Sequence, residues 1–282
     1  MEIIIGKLSG FCNGVNNAVT KAYQSLKDYK EVYCLGELVH NEIVINEFKN
    51  NGMIFVNDIE LVPNNSNVIF RAHGESVSVY EKALEKNLNI IDLTCPKVKL
   101  IHKIIEKEND SFIILIGKKN HPECIASISY SKHGLIVYDD SDIENIEKLL
   151  KKTHCKKIYV LSQTTISNTK YNYWLDIIKN KFTSYEIKEN NTICNATNLR
   201  QNETIEIAKK VTKLIVIGGK NSSNTKELET ISKDYTKTFL IQDINDLKNI
   251  KFNNNDRVGL VAGASTPSSI IKEVSEYLKN VY

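Results

Sequence analysis

A pattern of apolar runs occurs three times in the 282 residues, and this internal repeat restricts the fold more than any other feature. The first set of runs ends in glycine: VYCLG (32–36), FIILIG (112–117) and KLIVIGG (213–219). The second set ends in small polar residues or a histidine: VIFRAHG (68–74), IYVLSQTT (158–165) and VGLVAGAS (258–265). Such runs, alternating with helical periodicity, are typical of buried parallel strands in βαβ units.

Polar residues stand at equivalent places after these strands. Four positions beyond the first glycine of each first-set run are His40, His121 and Ser222. Two positions further along are Glu42, Glu123 and Asn224. Ligands of open α/β sheets bind beyond the carboxyl ends of the strands, so these side chains are expected to line a binding site.

Three of the six cysteines follow the same repeat. Cys12, Cys95 and Cys194 each lie 22 to 24 residues before the first glycine of a repeat, and helical apolar spacing follows each of them. Repeats of about 90 residues are longer than solenoid repeats. The chain is therefore predicted to be an α/β protein of three similar small domains in a pseudo-threefold trefoil. The predicted domains are residues 13–95, residues 96–194, and residues 195–282 completed by the N-terminal strand EIIIGKLSGFC in residues 1–12.

The widely spaced cysteines favour reduced thiols over a disulfide framework. Cys34, Cys124 and Cys155 are interpreted as buried structural thiols. If the three repeating thiols converge, a metal is needed to neutralise them. Structural zinc takes four protein ligands, whereas an iron–sulfur cube bound by three cysteines keeps one iron open. Buried structural thiols remain the alternative for these three as well.

Histidine, hydroxyl and amide side chains beside helix N-termini suit an anion. The candidates are His40, His73, His121, Thr164, Ser222, Asn224 and Ser265. Each has a simpler interpretation: a lone histidine often bonds a backbone carbonyl, and a Ser/Asn-rich turn often caps a helix. His102, His133 and His154 are predicted to be surface or helix residues.

Glu123 lies two residues after His121, across a proline. A carboxyl group in a desolvated pocket has a raised pKa and can act as a general acid near neutral pH. The alternative is a helix N-terminal acid that interacts only with the helix dipole.

Charge and hydropathy exclude two classes of partner. The formal net charge is +3 with both signs mixed along the chain, unlike the basic stripe of a nucleic-acid-binding protein. No run approaches the roughly 18 apolar residues of a membrane span, and MEIIIGK is too short for a secretory signal. We therefore expect a cytoplasmic protein without nucleic-acid or membrane partners.

Ten strings, in register along nearly the whole chain, together resemble the LytB/IspH family of reductases. They are GFCNGVNNAV (10–19), ELVHNE (37–42), RAHG (71–74), DLTCPKV (92–98), NHPE (120–123), SQTT (162–165), TIC (192–194), RQ (200–201), KNSSN (220–224) and GASTP (263–267). The chain departs from the family at Cys124, which follows Glu123 where an aliphatic residue is usual, at Ile125–Ala126, and in the spacing of NATNLRQ.

The resemblance implies a trefoil around a central [4Fe–4S] cluster held by Cys12, Cys95 and Cys194. It implies the last step of non-mevalonate isoprenoid synthesis: a two-electron, two-proton removal of the allylic hydroxyl of 4-hydroxy-3-methylbut-2-enyl diphosphate, giving isopentenyl and dimethylallyl diphosphate. The electrons would come from an external ferredoxin or flavodoxin. The positions matching the diphosphate site are His40, His73, Ser222, Ser223, Asn224 and Ser265, and those matching the hydroxyl and proton site are His121, Glu123 and Thr164.

Two hypotheses from other classes are kept beside this one. The first is a zinc hydrolase that uses His121, Cys124, His154 and Cys155. The second is a non-catalytic α/β protein that binds an anion.

Overall fold

The computed structural model describes residues 1–281, and within them it contains twelve strands, eleven α-helices and a 3-10 helix at Ile59–Leu61. The strands are β1 (Glu2–Ile5), β2 (Val32–Leu35), β3 (Met53–Val56), β4 (Asn67–Phe70), β5 (Asn89–Asp92), β6 (Ser111–Ile116), β7 (Gly134–Val137), β8 (Lys157–Ser162), β9 (Glu186–Glu189), β10 (Lys213–Ile217), β11 (Lys237–Ile241) and β12 (Arg257–Ala262). The helices are α1 (Asn13–Asp28), α2 (Glu42–Asn50), α3 (Val77–Glu85), α4 (Pro96–Lys107), α5 (Pro122–Ile128), α6 (Asp140–Leu150), α7 (Asn168–Lys181), α8 (Asn195–Ala208), α9 (Ser223–Ser232), α10 (Ile244–Leu247) and α11 (Ser268–Val281).

The strands form three four-stranded sheets that share one strand order. The orders are β3-β2-β4-β5, β7-β6-β8-β9 and β11-β10-β12-β1, and every pairing is parallel. The N-terminal strand β1 pairs with β12 in the register Ile3↔Val258, so the third sheet takes its last strand from the start of the chain. The predicted α/β class with three similar units is confirmed.

The central strand β6 shows why the sequence contains long apolar runs. All six residues of β6 are buried. Phe112, Ile114 and Ile116 pack into one core with residues of α6 and α7, whereas Ile113 and Leu115 pack into another with residues of α4. Successive side chains of a strand point to opposite faces, so a strand with a core on both faces has no polar face.

The described residues divide into two compact units. The first contains Met1–Val19, Val39–Asn51 and the chain from Asn195 onward, and the second contains Thr20–Leu38 and Gly52–Cys194. Helix α2 belongs to the first unit: Ile43 packs against the core of the β11-β10-β12-β1 sheet, and Gln242 Nε2 donates to Glu42 Oε2 at 3.0 Å. The domain boundaries given above stay a prediction, and Tyr282, the last residue of the third predicted domain, lies outside the described residues.

The N-terminal run EIIIGKLSGFC is not one continuous strand. Strand β1 ends at Ile5, and Gly6–Phe11 form a loop that leads to Cys12. Gly10 has φ +102°, in the left-handed region that favours glycine, and Ala262 N–H donates to Ser9 Oγ at 3.0 Å. The prediction of a strand over the whole run was wrong because the chain turns directly after β1, where Ser9 N–H donates to Gly6 O at 3.3 Å.

His102 is a helix residue as predicted, but it is not on the surface. It lies on α4, only 6% exposed, and its ring stacks on Tyr130 with centroids 4.2 Å apart. Burial lowers the pKa of His102 to about 4. Across residues 1–281, no helix combines the length and the apolar character that a bilayer crossing requires.

Candidate active site

Cys12, Cys95 and Cys194 occupy the same local position in the three sheets. In each case the cysteine N–H donates to a carbonyl just beyond the end of the adjacent strand: Cys12 to Ala264 O (3.3 Å), Cys95 to Ala72 O (3.0 Å) and Cys194 to Thr164 O (3.0 Å). Helices α1, α4 and α8 begin at the residue after each cysteine. The repeat found in the sequence is therefore a repeat of backbone hydrogen bonding.

Five of the six cysteines fall into two groups by environment. The sixth, Cys155, was predicted to be buried, but it lies in the loop between α6 and β8 and is only partly buried against the core, so that prediction was wrong. Cys34 and Cys124 are fully buried, as predicted; burial raises the pKa of Cys34 to about 12 and that of Cys124 well above its usual value. Cys12, Cys95 and Cys194 are partly exposed and precede a helix. A metal ligand must be a thiolate, and a helix N-terminus favours the thiolate. The repeating cysteines are thus the set whose chemistry suits a metal.

Glu123 and Thr164 form a buried pair in the second compact unit, which contains Gly52–Cys194. Glu123 is 3% exposed, and its two carboxylate oxygens accept hydrogen bonds from Thr164 N–H at 2.6 Å and from Thr164 Oγ1 at 2.7 Å. Burial raises the pKa of Glu123, although both bonds from Thr164 act in the opposite direction. The pair joins a carboxyl group that tends to hold its proton to a hydroxyl that can pass the proton on.

His121 is fixed in one orientation beside this acid. It is the N-cap residue of α5, and its Nδ1 accepts a hydrogen bond from Glu123 N–H at 3.2 Å. Because Nδ1 is an acceptor, a neutral His121 carries its proton on Nε2 and can donate from there. Its ring meets that of His73 edge-on, with centroids 5.3 Å apart.

A second group of predicted residues lies together in the first compact unit, which contains Val39–Asn51 and the chain from Asn195 onward. Ser265 Oγ donates to His40 O at 3.3 Å. A Cβ at Gly219 would overlap the same His40 carbonyl oxygen and would lie 2.9 Å from the carbonyl carbon. Glycine therefore permits the loop after β10 to lie against the backbone of His40.

Ser222, Ser223 and Asn224 start helix α9 and are all buried. Ser222 Oγ caps the helix by accepting from Thr225 N–H at 3.3 Å. Asn224 Oδ1 accepts from Ala264 N–H at 3.0 Å, while its Nδ2 is buried and has no hydrogen-bond partner within the described part of the chain. A buried donor of this kind at a helix N-terminus is suited to an anion.

Two of the repeats share a further contact. In the third sheet, Ala264 N–H donates to the Asn224 side chain, and the Ala264 carbonyl accepts from Cys12 N–H. In the second sheet, Thr164 N–H donates to the Glu123 side chain, and the Thr164 carbonyl accepts from Cys194 N–H. In the remaining repeat the equivalent Glu42 is exposed and is bonded by Gln242 instead. Glu42 therefore does not make the contact that its equivalents in the other two repeats make, because α2 packs with the β11-β10-β12-β1 sheet.

Sequence reasoning missed the role of Asn41, although it lies in the string ELVHNE. Asn41 is 2% exposed and caps α2, because its Oδ1 accepts from Ile43 N–H at 3.1 Å and from Val44 N–H at 3.4 Å. Its Nδ2 is also buried without a hydrogen-bond partner among residues 1–281. An asparagine before an apolar helical pattern is a helix-start signal that could have identified it.

The zinc hydrolase hypothesis is not supported. His154 is exposed, Cys124 is fully buried, and within residues 1–281 neither Cys124, His154 nor Cys155 belongs to a group of potential ligands close enough to share an ion.

A family model described as LytB protein matches residues 3–279. The chain is 38% identical over 290 residues to a 4-hydroxy-3-methylbut-2-enyl diphosphate reductase of Clostridioides difficile (strain 630), with all of both chains covered. It is also 38% identical to an enzyme of that name from Buchnera aphidicola subsp. Schizaphis graminum, covering 100% of this chain and 91% of the relative.

Solved structures with the same fold agree. The structure of E-1-hydroxy-2-methyl-but-2-enyl-4-diphosphate reductase from Plasmodium falciparum matches with a TM-score of 0.89 and 33% identity, covering 99% of this chain and 88% of that chain. A second structure, described as (E)-4-hydroxy-3-methyl-but-2-enyl diphosphate reductase, the terminal enzyme of the non-mevalonate pathway, matches with a TM-score of 0.72 and 36% identity over all of both chains.

Proposed function

The chain belongs to the LytB family, and from that premise we propose that it reductively removes the allylic hydroxyl group of 4-hydroxy-3-methylbut-2-enyl diphosphate. The products are isopentenyl and dimethylallyl diphosphate, and the reaction uses two electrons and two protons. A ferredoxin or flavodoxin in the cytoplasm supplies the electrons. The observation that carries the proposal is the common backbone setting of Cys12, Cys95 and Cys194.

These three cysteines suit an iron–sulfur cluster better than the other three do. Each is partly exposed, precedes a helix and has its N–H bonded to a neighbouring strand end, so the side chain is held at a fixed place. They are the residues that would hold a [4Fe–4S] cluster. When bound, such a cluster supplies electrons and a Lewis-acidic iron for removal of the hydroxyl group.

The diphosphate is bound by donors at helix N-termini. Ser222, Ser223 and Asn224 at the start of α9 offer hydroxyl and amide donors, and Asn41 offers a further amide at the start of α2. The helix dipoles add to this because each favours negative charge near its first turn. His40, His73 and Ser265 complete the proposed site. A diphosphate would satisfy buried donors that are otherwise costly to leave unbonded.

The close approach of Gly219 to His40 gives a testable consequence. We expect Gly219→Ala to displace the His40 loop, to lower stability by about 1–3 kcal/mol, and to raise KM for the diphosphate substrate by about tenfold, since the donors around His40 would be misplaced. The matched control is Gly52→Ala, which places a Cβ in open space but strains a φ of +91°. Gly52→Ala should lower Tm and leave KM unchanged; equal KM changes in both variants would contradict this role for Gly219.

Glu123, Thr164 and His121 handle the leaving hydroxyl and its proton. Hydroxide is a poor leaving group, so the oxygen must be protonated as the carbon–oxygen bond breaks. When Glu123 is ionised, Thr164 Oγ1 donates to its carboxylate at 2.7 Å. Protonation of that carboxylate oxygen reverses this bond, so that Glu123 donates to Thr164 Oγ1 and the hydroxyl donates its own proton onward. His121 donates from Nε2, because its Nδ1 is occupied by Glu123 N–H.

The raised pKa of Glu123 determines the direction of the pH dependence. Only the protonated carboxyl group can donate, so we expect kcat to fall as pH rises through the raised pKa of Glu123. The measurement is kcat at saturating substrate across pH, with electrochemically reduced methyl viologen as donor. A kcat that shows no fall at any pH above the ordinary pKa of a glutamate would contradict Glu123 as the acid.

The direct test of the function is a product assay. Anaerobically purified protein is incubated with 4-hydroxy-3-methylbut-2-enyl diphosphate and reduced methyl viologen, and the products are separated by chromatography. The proposal predicts both five-carbon diphosphates and a released water. Binding of the substrate without any product, in protein that holds its full iron content, would instead support the non-catalytic anion-binding hypothesis.

A further inference from the structure

The three cysteines differ in the loops that lead to them. Between the end of the preceding strand and the cysteine there are two residues before Cys95, four before Cys194 and six before Cys12. A longer loop has more conformations to lose, so more contacts are needed to hold its last residue in one place. The loop Gly6–Phe11 is therefore the one whose fixation most needs explaining.

The shorter loops are fixed by their own sheet. Leu93 N–H donates to Phe70 O at 2.9 Å, and Thr94 N–H donates to Asp92 Oδ1 at 2.9 Å. In the loop before Cys194, Thr192 Oγ1 and N–H bond the backbone and side chain of Ser162. Phe70 and Ser162 each end the neighbouring strand in the sheet of their own loop, and Asp92 ends the strand that leads into its loop.

Two charged side chains of α8 hold the backbone of the Gly6–Phe11 loop. Glu203 accepts hydrogen bonds from Lys7 N–H at 2.8 Å and Leu8 N–H at 2.9 Å, one on each carboxylate oxygen. Arg200 donates from Nε to Leu8 O at 2.8 Å and from a terminal nitrogen to Gly10 O at 2.7 Å. Spaced three residues apart, they lie on one face of the helix. The fork of Arg200 and the carboxylate of Glu203 thus bond two carbonyls and two N–H groups of one loop.

That residue 200 is an arginine, and not a lysine, supports a specific role in holding the loop. Only three of the 37 basic residues are arginines, and Arg200 is 5% exposed. Its two bonds, to the carbonyls of Leu8 and Gly10, require the planar fork of a guanidinium, which a lysine cannot reproduce. Arg257, by contrast, makes an exposed pair with Glu2 on strand β1, where its side chain is 49% exposed. Arg257 and Glu2 therefore offer a control close to the same loop.

We propose that Arg200 and Glu203 are positioning residues that fix the Gly6–Phe11 loop and thereby set the placement of Cys12 as a cluster ligand. This role accounts for the arginine in the motif RQ at residues 200–201. The consequence for Cys12 rests on the proposed iron–sulfur function, whereas the fixation of the loop does not.

Limited trypsin digestion tests the fixation directly, because the Lys7–Leu8 bond lies inside the clamped loop. The experiment compares anaerobically purified wild-type protein with Arg200→Met, Glu203→Gln, Arg200→Lys and the control Arg257→Gln, and follows each cleavage site by mass spectrometry. We expect cleavage at Lys7–Leu8 to be about tenfold faster in Arg200→Met and Glu203→Gln, since each loses charge-assisted bonds to that segment. Other sites and the control should be unchanged, with Arg200→Lys intermediate.

The same preparations test the consequence for Cys12. We expect the reduced-cluster electron paramagnetic resonance spectrum to change in Arg200→Met and Glu203→Gln, and cluster loss in air to be about tenfold faster than in Arg257→Gln. Uniform acceleration of all tryptic sites would overturn the proposal, since that indicates general unfolding. Faster cleavage at Lys7–Leu8 with an unchanged spectrum would overturn the role toward Cys12. Wild-type protein that holds no cluster would defeat the proposed function, and the digestion would still decide whether the loop is clamped.

Discussion

Glu123→Gln is expected to lower kcat by about 10²–10⁴-fold, the range for loss of a positioned general acid. The amide keeps the size of the carboxyl group and can still accept from Thr164 N–H, so the buried site keeps its shape. It has no acidic proton, so Thr164 Oγ1 receives none to pass on. Product formation is measured under saturating substrate and reduced methyl viologen, with iron content determined on the same sample.

Variants at two other residues distinguish loss of the Glu123 proton from a general effect of removing a polar group. Glu147→Gln, which removes an exposed carboxylate paired with Lys151, should leave kcat unchanged. Thr164→Val keeps the backbone bond to Glu123 but removes the hydroxyl, so it should lose a comparable share of kcat, and Thr164→Ser should restore most of it. Glu123→Gln with full iron and a near-normal kcat would exclude Glu123 as the proton source.

The second large effect concerns the cysteines. Each of Cys12→Ser, Cys95→Ser and Cys194→Ser is expected to reduce bound iron from about four atoms per chain to below about one, because each removes one ligand of the proposed cube. Iron and acid-labile sulfide are measured after anaerobic purification. A hydroxyl group is a much weaker ligand for iron than a thiolate at neutral pH.

The other three cysteines are the controls. Cys34→Ala and Cys124→Ala empty small buried volumes and should cost about 1 kcal/mol of stability without loss of iron. Cys155→Ser, at a partly exposed position, should change neither the stability nor the iron content. Loss of iron in Cys124→Ala together with full iron in Cys95→Ser would reverse the assignment of ligands.

The repeat allowed the fold to be predicted because each sheet is buried on both faces. Strands such as β6 and β10 must then be continuously apolar, and their ends are visible as glycines. The same period located Cys12, Cys95 and Cys194 at helix starts, and it placed Glu123 and Thr164 in matching positions. The period did not predict the hydrogen bonds between them; only the family resemblance implied that Glu123 and Thr164 act together.

What the sequence did not predict depends on contacts between distant segments. Arg200 and Glu203 lie 190 to 196 residues from the loop residues Lys7, Leu8 and Gly10 that they bond, and no local pattern links them. The grouping of α2 with the C-terminal sheet is of the same kind. His102 is different, because its spacing from Val98 and Ile105 places it on the buried stripe of α4, so its burial could have been inferred.

We propose that Cys12, Cys95 and Cys194 hold one [4Fe–4S] cluster whose fourth iron has no cysteine ligand. The most direct measurement is the Mössbauer spectrum of ⁵⁷Fe-labelled protein purified without oxygen, recorded with and without the diphosphate substrate. We expect about four irons per chain, one of them distinct from the other three and altered by substrate. Protein that binds stoichiometric zinc, or that stays free of iron after cluster reconstitution, would contradict it.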